Sequence, residues 1–522
     1  MSEPAAAPPR PEPLRGLTLL LGALSLALAT FMNVLDTSIA NVSIPAIAGD
    51  LGVSPNQGTW VITSFGVANA ISVPLTGWLT MRFGAVRLIT ASISLFVLSS
   101  WLCGFASSFE MLVLFRVVQG LVAGPMIPMS QTLLLSSFPA AKAGMALALW
   151  GITTLVAPVV GPLLGGWITD NLSWPWIFYI NVPVGLLSAA ITWGIYRKRE
   201  TPIRKLPIDT VGLTLLVLWV GSLQLMLDKG KELDWFASNE IVTLGLVALV
   251  SFAVFVVWEL TDKHPVVDLR LFKGRNFTFG ALALSVAYGL FFGNVVLLPL
   301  WLQQWMSYTA TSAGMAVAPV GLFAILLTPL VGKKVGQWDP RFMATAAFVI
   351  FAVVLWMRSQ FNTQTDFQHI LWPTLFQGAA MALFFIPLTT LTLSGQPPER
   401  IPAAAGLSNF VRIMAGAMGT SIATTIWESR AALHHAHLTE SLTATNPIFI
   451  SALDGLKASG MTNEQALLQV NRLIDQQAFT RAADDVFIAS SMMFMVLIGL
   501  IWFTRRPAQL AGSISKDAGG AH

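Results

Sequence analysis

Three charged side chains lie inside long apolar runs, where lipid makes an unpaired charge costly and a charged residue usually has a function. Asp36 lies in the first run, Arg116 in the fourth and Arg412 in the thirteenth, and Asp36 is the only carboxylate well inside any run. A desolvated carboxylate tends to keep its proton, whereas a nearby arginine favours the ionised form. An acid whose surroundings change as a cavity opens to each side can therefore carry protons. A permanently buried ion pair is the alternative for Asp36.

The residues around Asp36 and Arg116 indicate that these two side chains lie close together. At about 100° per residue, four polar residues of the first run fall within about 140° of one another. They are Asn33, Asp36, Thr37 and Asn41. Arg116 shares a helix face with Gln119, and counting from the ends of the runs places Asp36 and Arg116 at a similar depth. We therefore predict a proton-coupling group of Asp36, Arg116 and Gln119, with the charges paired directly or through Gln119.

Arg412 lies about eight residues into its run, and no carboxylate is available at that depth. It either pairs with backbone carbonyl groups or attracts an anionic substrate. Aromatic and thioether side chains suit varied apolar ligands, although most of them in membrane helices are core or lipid-facing. The predicted substrate-binding residues are Phe31, Met32, Asn33, Trp150, Tyr288, Phe292 and Arg412.

The composition requires lipid as the surrounding solvent for these residues. Of 522 residues, 55% are hydrophobic and only 11% are charged, whereas a soluble domain carries about 25% charged residues. This excludes a soluble enzyme, a disordered chain and a nucleic-acid binder. The net charge of +4 also produces only a weak electrostatic field around the protein. The single cysteine, Cys103, excludes an intramolecular disulfide. No Walker-type loop or nucleophile–base constellation occurs, so we expect no enzyme and no cofactor, and an ion gradient or passive flow as the driving force.

A bilayer core accepts about 20 apolar residues as a helix, and fourteen runs of this kind predict an all-α membrane protein with fourteen transmembrane helices. The runs lie near 17–41, 58–80, 88–107, 111–135, 144–167, 176–196, 209–227, 240–260, 277–301, 312–332, 342–359, 370–393, 404–427 and 487–504. Lysine and arginine number 21 in segments on the side of the N-terminus and 7 on the other side. This bias predicts that both termini are cytoplasmic.

Short matches between the two halves of the chain indicate an internal repeat. Gln119-Gly120 matches Gln377-Gly378 at an offset of 258, and matches at 255 and 262 flank it. We predict two six-helix bundles, 17–196 and 276–504, that surround a central cavity and alternate its access. An extra two-helix hairpin lies in the linker 197–275, and tails occupy 1–16 and 505–522. The alternative to an internal repeat is that glycine and proline recur at similar positions, as they can in any protein with many transmembrane helices. Thr374 matches Arg116 at the same offset, so the arginine is not expected to belong to the repeated scaffold.

The segment 428–486 is predicted to be a long loop outside the membrane. Thr462 and Gln465 have the spacing of a capping box, and apolar residues then recur at helical spacing. An amphipathic helix is expected there, and it could dock a partner. The histidines at 434, 435 and 437 suggest a metal site, but no set of carboxylates or cysteines completes one, so we predict no metal and a solvated histidine run.

Five segments together resemble the EmrB-type branch of the fourteen-span drug:proton antiporters in the major facilitator superfamily. They are LDTSIANV at 35–42, GWLTMRFG at 77–84, RVVQG at 116–120, APVVGPLLGG at 157–166 and WPWIFYINVP at 174–183. The resemblance covers nearly the whole chain. The superfamily motif usually carries an acid where Thr80 stands, which puts the charge contact between halves in doubt here.

The resemblance implies a function, a location and further residues. It implies export of hydrophobic drugs, uncouplers and weak acids across the bacterial inner membrane, driven by inward proton flow. It also implies a periplasmic adaptor of the EmrA type and a TolC-like outer-membrane channel as partners, with no nucleic acid. The residues implied in the conformational motifs are Gly77, Arg82, Gly84, Pro158, Gly161, Pro162 and Gly165. Export of one endogenous metabolite, such as a fatty acid or siderophore, is the alternative, and a passive channel or uniporter is a third possibility.

Overall fold

Helices account for most of the chain, because a backbone in lipid must satisfy its hydrogen bonds within its own segment. The computed structural model describes residues 12–53, 55–139, 142–203, 207, 209–230, 233–263, 265–440, 442 and 446–507. The helices in these ranges are α1 (Gly16–Asp50), α2 (Pro55–Gly58), α3 (Trp60–Ser72), α4 (Thr76–Phe83), α5 (Ala85–Gly104), α6 (Phe109–Ala123), α7 (Met126–Ser137), α8 (Ala143–Asn171), α9 (Trp176–Tyr179), α10 (Asn181–Tyr196), α11 (Thr210–Lys229), α12 (Asn239–Thr261), α13 (Arg275–Trp305), α14 (Ala310–Val317), α15 (Pro319–Lys334), α16 (Pro340–Arg358), α17 (Phe367–Leu393), α18 (Ile401–Glu440), α19 (Pro447–Ala458) and α20 (Asn463–Ile501).

Twelve helices in the described ranges are long and apolar enough to cross a membrane, two fewer than the fourteen predicted spans. The remaining two predicted spans fall in α8 and α18, which have 29 and 40 residues. At 1.5 Å per residue both exceed the roughly 30 Å of a bilayer core. Among the side chains of α8 that the structure describes, Ala143–Thr154 forms a shorter apolar helix, and polar residues interrupt α18. The all-helical fold is confirmed, and the number fourteen stays a prediction.

The helices pack mainly within the two predicted halves. In the first, α1 packs on α8 and α10, and α3 packs on α6. In the second, α13 packs on α18, and α16 packs on α17 and α20. The hairpin of α11 and α12 contacts both, because α11 packs on α3 and on α18. The hairpin is therefore positioned to respond to any movement between the halves.

Both described ends of the chain lie at the same end of the bundle, which we call the terminal face. The backbone N–H of Leu14 donates to the carbonyl of Ser137 at 2.9 Å, and Arg341 Nη1 donates to the carbonyl of Thr504 at 3.3 Å. The other end of the bundle is called the opposite face.

The two halves contact each other closely at the terminal face. A Cβ on Gly144, at the start of α8, would collide with the carbonyl oxygen of Gly332 in α15. A Cβ on Gly77 in α4 would lie 2.7 Å from the Cβ of Ala403 in α18. Small residues allow such close backbone approach. They bring the backbones of the two halves into contact at this end.

The segment 428–486, predicted as a loop outside the membrane that contains a helix, is mostly helical in its described residues. Its position outside the membrane stays a prediction. The capping box is confirmed, since Gln465 N donates to Thr462 Oγ1 at 3.3 Å and Thr462 N donates to Gln465 Oε1 at 2.9 Å. The helix that it starts is not separate, because no proline interrupts α20 before Ile501. Phe479 stacks on Trp305 at the end of α13, so the part of α20 before Phe479 projects beyond the opposite face.

Candidate functional site

Asp36 and Arg116 form an ion pair with no solvent exposure. Arg116 Nη1 lies 2.5 Å from Asp36 Oδ2, and both side chains are 0% exposed. The other carboxylate oxygen, Asp36 Oδ1, accepts from Gln119 Nε2 at 3.1 Å and from Asn181 Nδ2 at 3.0 Å. Gln119 Oε1 also accepts from Arg116 Nη1 at 2.7 Å. The structure thus brings together the three residues of the predicted proton-coupling group, and the charges pair directly.

A second layer of contacts holds the guanidinium of Arg116 in place. Its Nε donates to the carbonyl of Val61 in α3 at 2.8 Å. The Phe65 ring lies 4.3 Å from the guanidinium carbon, and the Phe178 ring lies 5.5 Å from it. Arg116 Nη2 is buried without a hydrogen-bond partner among the described residues. One donor therefore remains available for a group that enters the cluster.

Two members of this cluster were missed by the sequence reasoning. Asn181 at the start of α10 binds Asp36 directly, and Ser100 Oγ in α5 accepts from Gln119 Nε2 at 2.8 Å. Asn181 is a polar residue inside an apolar run, a signal that could have identified it. Ser100 has no such signal, because serine is common in membrane helices. The cluster can exchange bonds among neutral amides and a hydroxyl if Asp36 gains a proton.

Glycines of α8 lie against α1 next to Asp36. A Cβ on Gly161 would lie 2.6 Å from the Cβ of Ser38, and a Cβ on Gly165 would lie 2.8 Å from the carbonyl oxygen of Ile39. These residues follow Asp36 by two and three positions in α1. A movement of α8 must therefore displace the backbone near the ion pair. The side chains of Asn41, Pro158 and Pro162, which were part of the predictions, lie outside the described part of the chain.

Arg412 lies in a cage of aromatic rings between the two halves. Its guanidinium carbon lies 4.6 Å from the Tyr288 ring, 4.9 Å from the Phe385 ring and 5.9 Å from the Trp150 ring. Arg412 Nη2 donates to Asn409 Oδ1 at 2.7 Å, and Nη1 is buried without a partner among the described residues. The arginine contacts rings and an amide, and these replace the backbone carbonyls considered from the sequence. Its unused Nη1 can donate a hydrogen bond to an anionic group.

The predicted substrate-binding residues divide into two groups. Trp150, Tyr288, Phe292 and Arg412 lie together, since the rings of Tyr288 and Phe292 are 4.4 Å apart. Phe385, which was missed, joins them and packs 5.3 Å from Trp150. A small cavity of about 10 Å³ lies beside this group. It has room for roughly one water molecule, so this conformation has no open drug-sized space there.

The remaining predicted residues belong to a different region of α1. Asn33 Nδ2 donates to the carbonyl of Ala123 at 2.9 Å, where α6 ends before Pro125. Met32 is buried, and its thioether lies close to Gly185 in α10. Phe31 is half-buried. In this conformation Met32 and Asn33 therefore pack inside the first half, away from the ring cage.

The motif GWLTMRFG at 77–84 lies at the terminal face. Gly84 has φ +88° between α4 and α5, a conformation that favours glycine, and Glu200 fills the space beside it. The Glu200 carboxylate accepts from the N–H groups of Val86 and Arg87 and so caps α5. Thr80 Oγ1, in the position where the superfamily has an acid, donates to the carbonyl of Thr76 and to Met129 Sδ. These bonds lie within the first half. Arg82 lies in the last turn of α4.

A third buried arginine corrects the sequence interpretation. Arg358, at the end of the predicted run 342–359, was counted among the seven basic residues on the side away from the N-terminus, yet it is 1% exposed at the end of α16. Its Nη2 donates to Gln377 Oε1 at 2.6 Å and to Thr374 Oγ1 at 3.2 Å. Gln377 is the repeat partner of Gln119, and Arg358 stands 258 residues after Ser100. In the second half, therefore, an arginine also binds the repeated glutamine. The preceding helix supplies this arginine, so matching the two halves residue by residue could not find it.

The acid of the first half has a neutral counterpart in the second half. Asn294 stands 258 residues after Asp36, is buried in α13 and donates to Ser490 Oγ at 3.1 Å. Asp36 is nevertheless not the only buried carboxylate. Glu259, near the terminal-face end of α12, is 0% exposed and accepts from the N–H of Val267 at 3.1 Å. Of these groups, only Asp36 is paired with a buried arginine.

The predicted histidine cluster is dispersed in the structure. His434 Nε2 contacts Asp485 Oδ2 at 2.8 Å, and His435 Nε2 contacts Asn471 Oδ1 at 3.2 Å. Asp485 Oδ2 also accepts from Arg430 Nε at 2.6 Å. Among the described residues, no three potential metal ligands of this kind converge.

Comparisons with known proteins agree with this architecture. The family model of the Major Facilitator Superfamily matches residues 26–420. The chain is 52% identical to "Multidrug export protein EmrB" of Escherichia coli K12 over 98% of this chain and 99% of that protein. It is 49% identical to "Fatty acid resistance protein FarB" of Neisseria gonorrhoeae over 96% and 99%. The solved structure of the human organic anion transporter MFSD10 (TETRAN) superposes with a TM-score of 0.59 at 12% identity, over 93% of this chain and 100% of that one. This last likeness concerns the fold alone.

Proposed function

Because the chain belongs to the major facilitator superfamily, as an EmrB-type exporter, we propose that it exports hydrophobic drugs and weak acids from bacteria in exchange for protons. The observation that carries the proposal is the solvent-free cluster in which Asp36 binds Arg116, Gln119 and Asn181. Such a buried acid costs stability unless it is paired. In a proton carrier, protonation of Asp36 removes the ion pair and releases Arg116. The packing of the three helices that hold these residues then changes.

The proposed cycle starts from a conformation closed at the terminal face, which we assign to the cytoplasm. In the structure Asp36 lies against Arg116, as expected of the ionised acid. A proton arriving from the opposite face neutralises Asp36, and Arg116 then loses its counter-charge. The close contacts of Gly161 and Gly165 with α1 transmit the change to α8. This helix contacts α15 through Gly144 at the closed end, so the contact there opens to the cytoplasm.

The proposed substrate site is the ring cage around Arg412. Its rings provide an apolar surface for varied drugs, and the free Nη1 donor provides a partner for a carboxylate or phenolate. Trp150 belongs to the first half and Tyr288 to the second. A rocking movement of the halves would therefore separate the rings and enlarge the present cavity.

The projecting ends of α18 and α20 are the proposed docking surface for an adaptor of the EmrA type, which would connect to a TolC-like outer-membrane channel. Several large apolar side chains are exposed on these ends and on α19 between them. They are Leu433, Ile450, Leu467, Leu468 and Leu473. Apolar side chains outside the lipid favour a protein partner. Leu468→Glu is expected to weaken co-purification with the adaptor and to leave transport in liposomes unchanged.

Reconstitution of the purified chain in liposomes tests the proposed function. An imposed pH gradient, acidic on the side of the opposite face, should drive uptake or release of a hydrophobic weak acid and of a cationic dye against their gradients. When the same substrates are added without a pH gradient, their movement across the membrane should drive protons across it in the opposite direction. Transport that ignores the pH gradient would refute proton exchange and favour a passive carrier.

Export of a single endogenous amphiphile is the second candidate. The 49% identity to a fatty acid resistance protein favours it, but relatives named for multidrug export match the chain at 52% over a similar length. The liposome assay separates the two, because a dedicated exporter would move protons with a fatty acid and with none of the drugs.

A further inference from the structure

A long apolar groove follows the hairpin of α11 and α12. Its volume is about 1210 Å³, and its walls come from α11, α12 and α18. Along α12 the lining extends from Val242 to Leu260, which is about 27 Å at 1.5 Å per residue. This is close to the roughly 30 Å thickness of the hydrocarbon core. The groove therefore spans both leaflets, and its half at the terminal face has the length and character of a site for an acyl chain of that leaflet.

The groove is open towards the surroundings of the bundle, away from the ring cage. Leu246 and Leu249 on its α12 wall are 58% and 66% exposed. Its floor is Trp219 in α11, whose ring lies 5.0 Å from Phe252 in α12 and 5.6 Å from Phe410 in α18. In a bilayer the molecules at this depth and on this side are lipids. Lipid chains can enter such a groove without leaving the hydrocarbon.

Near its opposite-face end the groove is widened by a missing side chain. A Cβ on Gly245 in α12 would contact only Met226 Sδ, at 3.3 Å. A larger side chain at this position would extend into the groove without meeting the backbone of another helix. Val256 lines the groove in its half nearer the terminal face, whereas its exposed neighbour Val257 does not line it. These two valines provide a matched pair for substitution.

One charge marks the terminal-face end of the groove. Leu269, Phe272 and Lys273 line this end, and Lys273 is the one charged side chain of the lining. Lys273 is exposed and lies directly before α13. A lysine at the boundary of the hydrocarbon attracts anionic lipid headgroups. The charge complements a lipid whose chain occupies the groove and whose headgroup lies at the terminal face.

We propose that the groove binds an acyl chain of an anionic phospholipid from the leaflet at the terminal face, with the phosphate beside Lys273. The bound lipid fills the space between the hairpin and α18. Because α11 also packs on α3 of the first half, the lipid would support the contact of the hairpin with both halves. This inference goes beyond drug export and does not depend on proton coupling.

Lipid binding can be measured without a gradient or a drug. The full chain is placed in nanodiscs with chain-labelled phosphatidylglycerol or phosphatidylcholine, and the immobilised fraction of the spin label is measured. We expect the wild type to immobilise phosphatidylglycerol with a several-fold preference. Val256→Trp should lose one immobilised lipid per chain, and Val257→Trp should keep it. Lys273→Gln should lose the preference for phosphatidylglycerol and retain chain binding.

Three results would overturn the proposal. They are equal binding of both lipids by the wild type, unchanged binding by Val256→Trp, and release of one labelled lipid per chain by a transported drug. The last result would assign the groove to substrates. If Val256→Trp does not fold, Leu260→Trp fills the groove near its terminal-face end and replaces it. Failure of proton exchange in liposomes would leave these binding results unaffected.

Discussion

Replacing Arg412 with leucine should separate anionic from cationic substrates. The guanidinium has one hydrogen bond, to Asn409, and a free Nη1 donor among three rings. A bond between this donor and an anionic group contributes about 1.5–3 kcal/mol. At 1.4 kcal/mol per factor of ten, its loss raises the KM for weak acids by roughly 10- to 100-fold. Leucine can still pack against the rings, so the KM for cationic drugs should stay the same or fall.

The assay is uptake of one weak acid and one cationic dye into liposomes over a range of concentrations. Arg412→Lys is the matched control, because it keeps the charge and loses the planar group that lies over the rings. It should recover part of the affinity for the weak acid. Arg412→Leu removes no partner from a buried carboxylate among the described residues, so the protein should remain folded. An equal loss of both substrates would refute the proposed role of Arg412.

Three further substitutions test the packing around the proposed mechanism. Asp36→Asn leaves Arg116 without a counter-charge, at a cost of about 3–5 kcal/mol, and adding Arg116→Met should restore more than half of the lost thermal stability; simply additive losses would contradict a tight pair. Gly144→Val collides with Gly332 and should abolish transport while the protein remains folded, whereas full transport would show that closure there is not required. Gly84→Ala should destabilise the protein by about 1–3 kcal/mol in thermal unfolding, because its φ is +88°; an unchanged melting temperature would contradict this.

The ion pair could be predicted from the sequence because its signals are local. Asp36 and Arg116 are charges in apolar runs, and the depth of each follows from counting along its own helix. Ser100 and Asn181 join the pair from α5 and α10, and their approach depends on how four helices pack. Arg358 was missed for a related reason. It lies at the end of α16 and of the predicted run 342–359, where it was counted as a residue outside the membrane, yet Gln377 and Thr374 of α17 bind it in the interior.

The segment 428–486 shows a different limit. Low hydropathy indicates that a segment is outside lipid, but it does not indicate that the helix ends there. α18 continues to Glu440, and α20 starts at its capping box and runs without a proline into the membrane. The capping box could be read from Thr462 and Gln465. The continuity could not, because it results from packing against α13 and α18.

The central claim is that Asp36 carries the proton, and substrate-driven proton flux in liposomes tests it most directly. Asp36→Asn should bind a hydrophobic drug but move no protons when the drug is added. Glu259→Gln, which removes another buried carboxylate outside the cluster, should retain the flux of the wild type. Drug-driven proton flux by Asp36→Asn at the wild-type rate would contradict the account.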